Sequence, residues 1–252
     1  MDVINHFDSA KKLERNFLKL ASISGLFKND LIDIFVELGN SRNTSLDSED
    51  PADWLPFLLG LCFNAAGGTG KDFEMLELAW VTFTKSAKLF DAVEDNDTID
   101  GLNSQFNTSE LTNHASGMLM MGFYALDQFL QDQRYNDKSL EIKSTFYKTL
   151  LNSYKGQALE LSIRNPSLED WWKIARAKSG EPFFLACWSG ARLASDEISI
   201  AASIGKFGYH LGHIIQILDD VTDFLQPDIF QSKRLDKKLR KEWSLTLPMI
   251  FA

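Results

Sequence analysis

The stretch that most limits what this chain can become is Gly208 to Leu225, GYHLGHIIQILDDVTDFL. On a helix of about 3.6 residues per turn, Gln216, Asp219, Asp220 and Asp223 recur at steps that bring them to one side. Ile214, Ile215, Ile217, Leu218, Val221, Phe224 and Leu225 stand around them, leaving almost no polar arc for an ordinary solvated face. The carboxylates are therefore expected to be at least half-buried. A buried carboxylate must be neutralised, hydrogen-bonded or bound to a cation, because desolvating the bare ion is costly. No lysine or arginine lies between Lys206 and Lys233. A hard divalent cation held through oxygen ligands answers this, and magnesium with a phosphorylated substrate is its commonest form.

The signature recurs upstream. In AWVTFTKSAKLFDAVEDND, Ala79 to Asp97, Asp91 and Asp95 are one turn apart with Glu94 beside them, at the end of an apolar run through Trp80, Val81, Phe83, Leu89, Phe90 and Val93. One such segment reads equally well as a helix whose last acids meet solvent. Two in one chain point to a shared metal-binding task.

With these motifs the sequence resembles the trans-isoprenyl diphosphate synthases and the class I terpenoid enzymes that share their fold, from about residue 50 to the end. In that family two DDxxD motifs on facing helices hold magnesium against an allylic diphosphate. The second is intact as Asp219, Asp220 and Asp223; the first keeps its outer acids as Asp91 and Asp95 but has Ala92 in the middle. Gly156, Gln157 and Glu160 look like the GQxxD motif with glutamate for aspartate, and Lys178 with Ser179 like the lysine-threonine pair. FGYHLGHIIQILDD and the block TLPMI, Thr246 to Ile250, complete five landmarks in the family's order.

The resemblance implies an all-α fold, an isoprenoid-synthase-type bundle of about ten helices around a central cavity, in one domain spanning residues 1–252. It also implies further helices after the TLP block, a homodimer, and three magnesium ions with bound diphosphate. Metal ligands would be Asp91, Asp95, Asp219 and Asp223, with Asp220 in the catalytic motif and Lys178 adding a cation on the diphosphate. Magnesium would act as a Lewis acid on the departing diphosphate, where a low dielectric strengthens its effect. Gln157, Gln216 and Phe90 are expected to contact substrate, with Phe83, Phe123, Phe183 and Phe184 as further aromatic faces for a carbocation. Ser86 and Ala87 fall where the family's cavity floor lies; both are small, which implies room for an allylic prenyl diphosphate of fifteen carbons or more.

Composition agrees with one substantial core: 252 residues, 44% hydrophobic. A net charge of −9 argues against a nucleic-acid partner. Cys62 and Cys187 sit in apolar helical contexts and read as core residues. The N-terminus lacks a signal-like apolar run and no segment is apolar enough to span a membrane, so a cytoplasmic protein is expected.

Apolar periodicity predicts helices over Asp8–Leu26, Asp30–Leu38, Trp54–Ala66, Phe73–Asn96, Thr108–Leu130 and Ser139–Ile163. A capping-box-like start at Ser167 and Asp170 leads a helix to Lys178; another follows from Pro182 to Ala194, and Ser195 caps the helix of the second motif, which Pro227 ends. Residues 39–51 read as a loop. The loop AAGGTGKD is not a phosphate-binding P-loop, having Ala65 where a glycine is required and Asp72 where Ser or Thr binds magnesium. His114 reads as a packing residue before a substrate-facing one, and the basic run Lys233 to Lys241 serves equally as a solvated face or as a source of diphosphate contacts.

The pattern departs from an elongating synthase in its countercharges. Elongation needs a second substrate, isopentenyl diphosphate, which the family holds with basic motifs flanking the first acidic helix. Here no basic residue occurs from Ala52 to Gly70, and no lysine or arginine between Lys88 and Arg134. A second diphosphate would meet acids without countercharge. Three activities remain: ionising one prenyl diphosphate as a terpene synthase or as a prenyltransferase to another acceptor; elongation with contacts not evident in the sequence; or a non-catalytic regulatory subunit of a prenyl diphosphate synthase, for which Ala92 is the main argument.

Overall fold

The computed structural model of the chain describes residues 3–23, 28–40, 55–71, 73–95, 102, 104–132, 135–225 and 246–251. Within them every regular element is helical, as expected: α1 (Val3–Ala21), α2 (Lys28–Asn40), α3 (Leu58–Ala65), α4 (Glu74–Asp95), α5 (Thr108–Leu130), α6 (Asn136–Ser162), α7 (Leu168–Ala175), α8 (Glu181–Ala194), α9 (Ile198–Leu225) and α10 (Leu247–Phe251). A short 3-10 turn, Leu55–Phe57, precedes α3, and a π-helical turn, Arg176–Gly180, joins α7 to α8. The expected stop at Pro227, the basic run from Lys233 to Lys241, Asp72 and most of the 39–51 loop lie outside the described residues, as does the side chain of Asp223.

Two compact units are present, Met1–Ser139 and Leu140–Ala252. In the first, Leu13, Phe17, Leu20 and Ala21 of α1 and Leu31, Ile34, Phe35 and Leu38 of α2 recur every three or four residues and are all buried. Phe17 stacks on Phe35 with ring centroids 3.9 Å apart. Helices α4 and α5 pack closely, because Gly122 of α5 lets the Phe83 ring rest where a Cβ would come within 2.7 Å of it. Phe123 meets that ring edge-on at 5.0 Å. Asn107 and Glu110 form a full capping box at the start of α5, bonding Glu110 N at 3.1 Å and Asn107 N at 2.8 Å. The glycine loop after α3 has Gly67 and Gly70 at φ of 89° and 98°, the left-handed region that explains these two glycines without a phosphate. His114 is buried, its ring 4.9 Å from that of Phe106.

In the second unit α9 runs antiparallel to the chain from α7 through α8. Gly208 lies against the Phe183 carbonyl and Cys187, Gly212 against the Ser179 carbonyl, and Asp220 reaches Trp171. A Cβ on Gly212 would lie 2.4 Å from Ser179 O, so the close backbone approach there requires glycine. The expected capping box holds: Ser167 Oγ accepts from Asp170 N at 3.2 Å and Asp170 accepts from Ser167 N at 3.1 Å. Ser195 accepts from Glu197 N at 3.1 Å, one step before α9 begins at Ile198.

Candidate functional site

The seam along α9 advances in steps of three and four through Gly205, Gly208, Gly212, Gln216 and Asp220. That register divides the acids which the sequence places on one side. Asp220 is on the seam and buried, whereas Asp219, turned about 100° around the helix axis, is off it and exposed. Half-burial therefore holds for Asp220 and not for Asp219.

Asp220 is the centre of a hydrogen-bond relay. Its Oδ2 accepts from the Trp171 indole N–H at 2.7 Å and from the Leu247 backbone N–H at 2.7 Å; its Oδ1 accepts from Gln216 Nε2 at 3.0 Å. Gln216 Oε1 in turn accepts from Ser179 Oγ at 2.7 Å. One carboxylate thus joins α7, α9, the start of the TLP helix α10 and, through Gln216, the π-helical turn. Such a turn inserts one residue into a helix and is found disproportionately at functional sites. Here it carries Lys178 and Ser179.

Lys178 pairs with Glu160 of α6, and Gly156 allows the approach, since a Cβ there would lie 2.6 Å from Ala177 Cβ. Ser153 Oγ donates to Ala177 O at 3.0 Å. The Gly156, Gln157 and Glu160 group and the Lys178–Ser179 pair, separate in sequence, are therefore brought together, with Gln157 half-buried.

In the first unit Asp91 and Asp95 are half-buried and Glu94 exposed in the last turn of α4, which carries no basic residue. Acids there face the negative end of the helix dipole and each other, so a cation is favoured. Ser86 is buried and donates to Ala115 O at 2.8 Å, so its hydroxyl belongs to the α4–α5 packing; Ala87 is exposed and Phe90 half-buried.

The donors fit magnesium, which commonly binds through one or two carboxylates plus phosphate oxygens and water. Among the described residues no three His, Cys, Asp or Glu side chains form a group able to hold a metal by themselves. Asp91 with Asp95, and Asp219 near the C-terminal end of α9, offer oxygens of the kind that share an ion with a diphosphate.

Comparison with known proteins decides the kinship. The sequence model of the polyprenyl synthetase family matches residues 60–252. The chain belongs to the polyprenyl synthetase family. Among curated relatives, the geranylfarnesyl diphosphate synthase of Methanosarcina mazei is 27% identical over 139 residues, covering 54% of this chain and 44% of that protein. A geranylgeranyl pyrophosphate synthetase structure from Pyrococcus horikoshii matches with a TM-score of 0.67 at 17% identity, over 88% of this chain and 66% of that one. A chain of the heterotetrameric geranyl pyrophosphate synthase of mint, a deletion mutant in complex with ligands, matches with a TM-score of 0.66 at 15% identity, over 96% and 98% of the two chains. At these identities the structural matches establish the shared helical fold.

Sequence reasoning missed Trp171 and Leu247, the partners of Asp220. They lie 49 and 27 residues away from it, and no local spacing marks them. Their only sequence signal is indirect: the TLP block is a family landmark, and Leu247 belongs to it.

Proposed function

We propose that this member of the polyprenyl synthetase family binds and ionises one allylic prenyl diphosphate with magnesium, passing the cation onward as a terpene synthase or as a prenyltransferase to an acceptor other than isopentenyl diphosphate. The observation that carries the reading is the relay Asp220–Gln216–Ser179, which fixes the turn bearing Lys178 to the helix bearing the intact acidic motif. Asp91, Asp95, Asp219 and Asp223 are the proposed metal-binding carboxylates, and bound magnesium supplies Lewis-acid stabilisation of the departing diphosphate. Lys178 adds a charge-assisted donor once diphosphate competes with Glu160 for it. The half-buried Phe90 offers an aromatic face to positive charge. The short side chains of Ser86 and Ala87 favour a prenyl chain of fifteen carbons or more.

Incubation of the protein with magnesium and a fifteen-carbon prenyl diphosphate, with release of inorganic diphosphate as the readout, tests the proposal. Addition of isopentenyl diphosphate then separates it from chain elongation, the reading favoured by the curated relative's name: a lengthened product rejects the missing second site. A regulatory subunit is favoured by Ala92 and by the match to a chain of a heterotetrameric synthase. That reading requires no release from the chain alone and restored release with a catalytic partner.

The proposal includes a homodimer. On α6, Leu140, Ser144, Tyr147, Leu151, Tyr154, Ala158 and Leu161 follow in alternating steps of four and three, and all are exposed. This is the register of a helix–helix seam. Its sizes read alike from both ends around Leu151, with leucines outermost, then a small residue, then tyrosine. A two-fold contact between antiparallel copies has that property.

A further inference from the structure

We propose that Asp220, the middle acid of the intact motif, is a positioning residue and not a magnesium ligand: it ties Trp171 and the Leu247 backbone to α9 and so holds Gln216, and through it Ser179, beside Lys178. The inference rests on the reading above for its binding test and on geometry for its origin. Both Asp220 oxygens accept hydrogen bonds, among them those from the indole, the Leu247 amide and the Gln216 amide. An ionised carboxylate has about four acceptor sites, so most of its capacity is committed to protein donors. The residue is 7% exposed, which leaves little room for an ion that retains several of its waters. Asp219 is exposed and off the seam, with the access a hydrated cation needs.

The relay has a direction. With the Asp220 carboxylate accepting from Gln216 Nε2, the Gln216 carbonyl is turned to accept from Ser179 Oγ. The Ser179 side-chain orientation at the π-helical turn is thus set through Gln216 by an acid that, on this account, does not hold the metal. Two adjacent aspartates that look alike in the sequence then do different work: Asp219 contributes charge to the metal, and Asp220 fixes the geometry of the neighbouring diphosphate contact.

The test uses the full chain with magnesium and inorganic pyrophosphate as the probe, followed by calorimetry, and determines separately the half-saturating magnesium concentration and the pyrophosphate affinity at saturating magnesium. Asp219→Asn is expected to raise the magnesium requirement by about tenfold or more through loss of a ligand charge. Asp220→Asn keeps a carbonyl oxygen for Trp171 and Leu247, and Gln216 can turn its amide over, so the magnesium requirement should stay within about threefold of the parent. Trp171→Phe removes one donor and should weaken pyrophosphate binding several-fold with the magnesium requirement unchanged, a split that a merely structural role in a folded protein does not produce. Asp220→Asn matching Asp219→Asn in its magnesium requirement overturns the proposal.

If the parent protein binds no magnesium pyrophosphate, the functional reading fails, and the relay is then decided by melting. Asp220→Ala and Trp171→Phe should each lower the melting temperature, and the double variant should lower it no further than Asp220→Ala alone. Additive losses would show that the two side chains act independently and reject the relay.

Discussion

Glu77 and Lys85, both buried on α4, give the first unit an unusual dependence on pH. Burial pushes the Glu77 carboxyl up to about 8, against the opposing bond from Gly60 N at 2.9 Å. Burial, helped by Lys88, pushes the Lys85 amine down to about 7, although its Nζ donates to Phe35 O at 2.8 Å. The folded state therefore holds the Glu77 proton more tightly than the unfolded chain and the Lys85 proton less tightly. Stability is lost through Glu77 as pH rises from the ordinary carboxyl value of 4.5 to about 8, and regained through Lys85 as pH rises from about 7 to the ordinary amine value of 10.5. Denaturant midpoints should pass through a minimum between about pH 7 and 8. Glu77→Gln, which keeps an oxygen for Gly60 N, should raise stability at pH 8 by about 1–3 kcal/mol and leave it nearly unchanged at pH 4.5. A midpoint that climbs steadily from pH 5 to 8 in the parent contradicts this assignment. Neither group stands out in the sequence. Glu77 sits among alternating apolar and acidic residues and Lys85 among hydroxylated ones, and their burial follows from packing against α2 and α3, which no local pattern reports.

At the scale of elements, helix existence and capping were legible because they depend on short-range chemistry. Ser167 with Asp170 specified the start of α7, and the span of α5, Thr108–Leu130, emerged from its apolar period. The π-helical turn was not legible. The run from Ser167 to Lys178 reads as one helix, and the insertion at Arg176–Gly180 is defined by contacts with α6 and α9, notably Ser153 to Ala177 O and Gly212 against Ser179. The division of Asp219 from Asp220 was hidden for the same reason, since periodicity places acids on a helix face but does not say where the partner helix crosses it. Gly212→Ala puts a methyl group 2.4 Å from a backbone oxygen that cannot swing aside. It should cost about 1–3 kcal/mol or more and displace the Lys178 turn. Gly117→Ala on α5, where the nearest atom is 3.6 Å away, should instead stabilise by about 0.5–1 kcal/mol through helix propensity. Thermal melting of the two variants checks the contrast, and equal losses would mean that the α9 approach is looser than described.

For the whole molecule, the order of five motifs carried the family and its all-helical fold, because those motifs reflect chemistry that tolerates few residue types. The proposed dimer contact was less legible: the stripe on α6 stands out only once Phe146 and Ile142 are seen buried while Leu140 and Leu151, at 76% and 69%, are exposed. Leu151→Lys at the centre of the stripe is expected to convert a dimer to a monomer in light scattering without lowering helicity by circular dichroism. A parent that is already monomeric at micromolar concentration rejects the seam. The most direct measurement is the release of inorganic diphosphate from a fifteen-carbon allylic prenyl diphosphate with and without magnesium, in the parent chain and in Asp91→Ala and Asp219→Ala. Magnesium-dependent release that falls by about two orders of magnitude in each variant is the predicted result. Release that is absent from the parent, or indifferent to both substitutions, would contradict it.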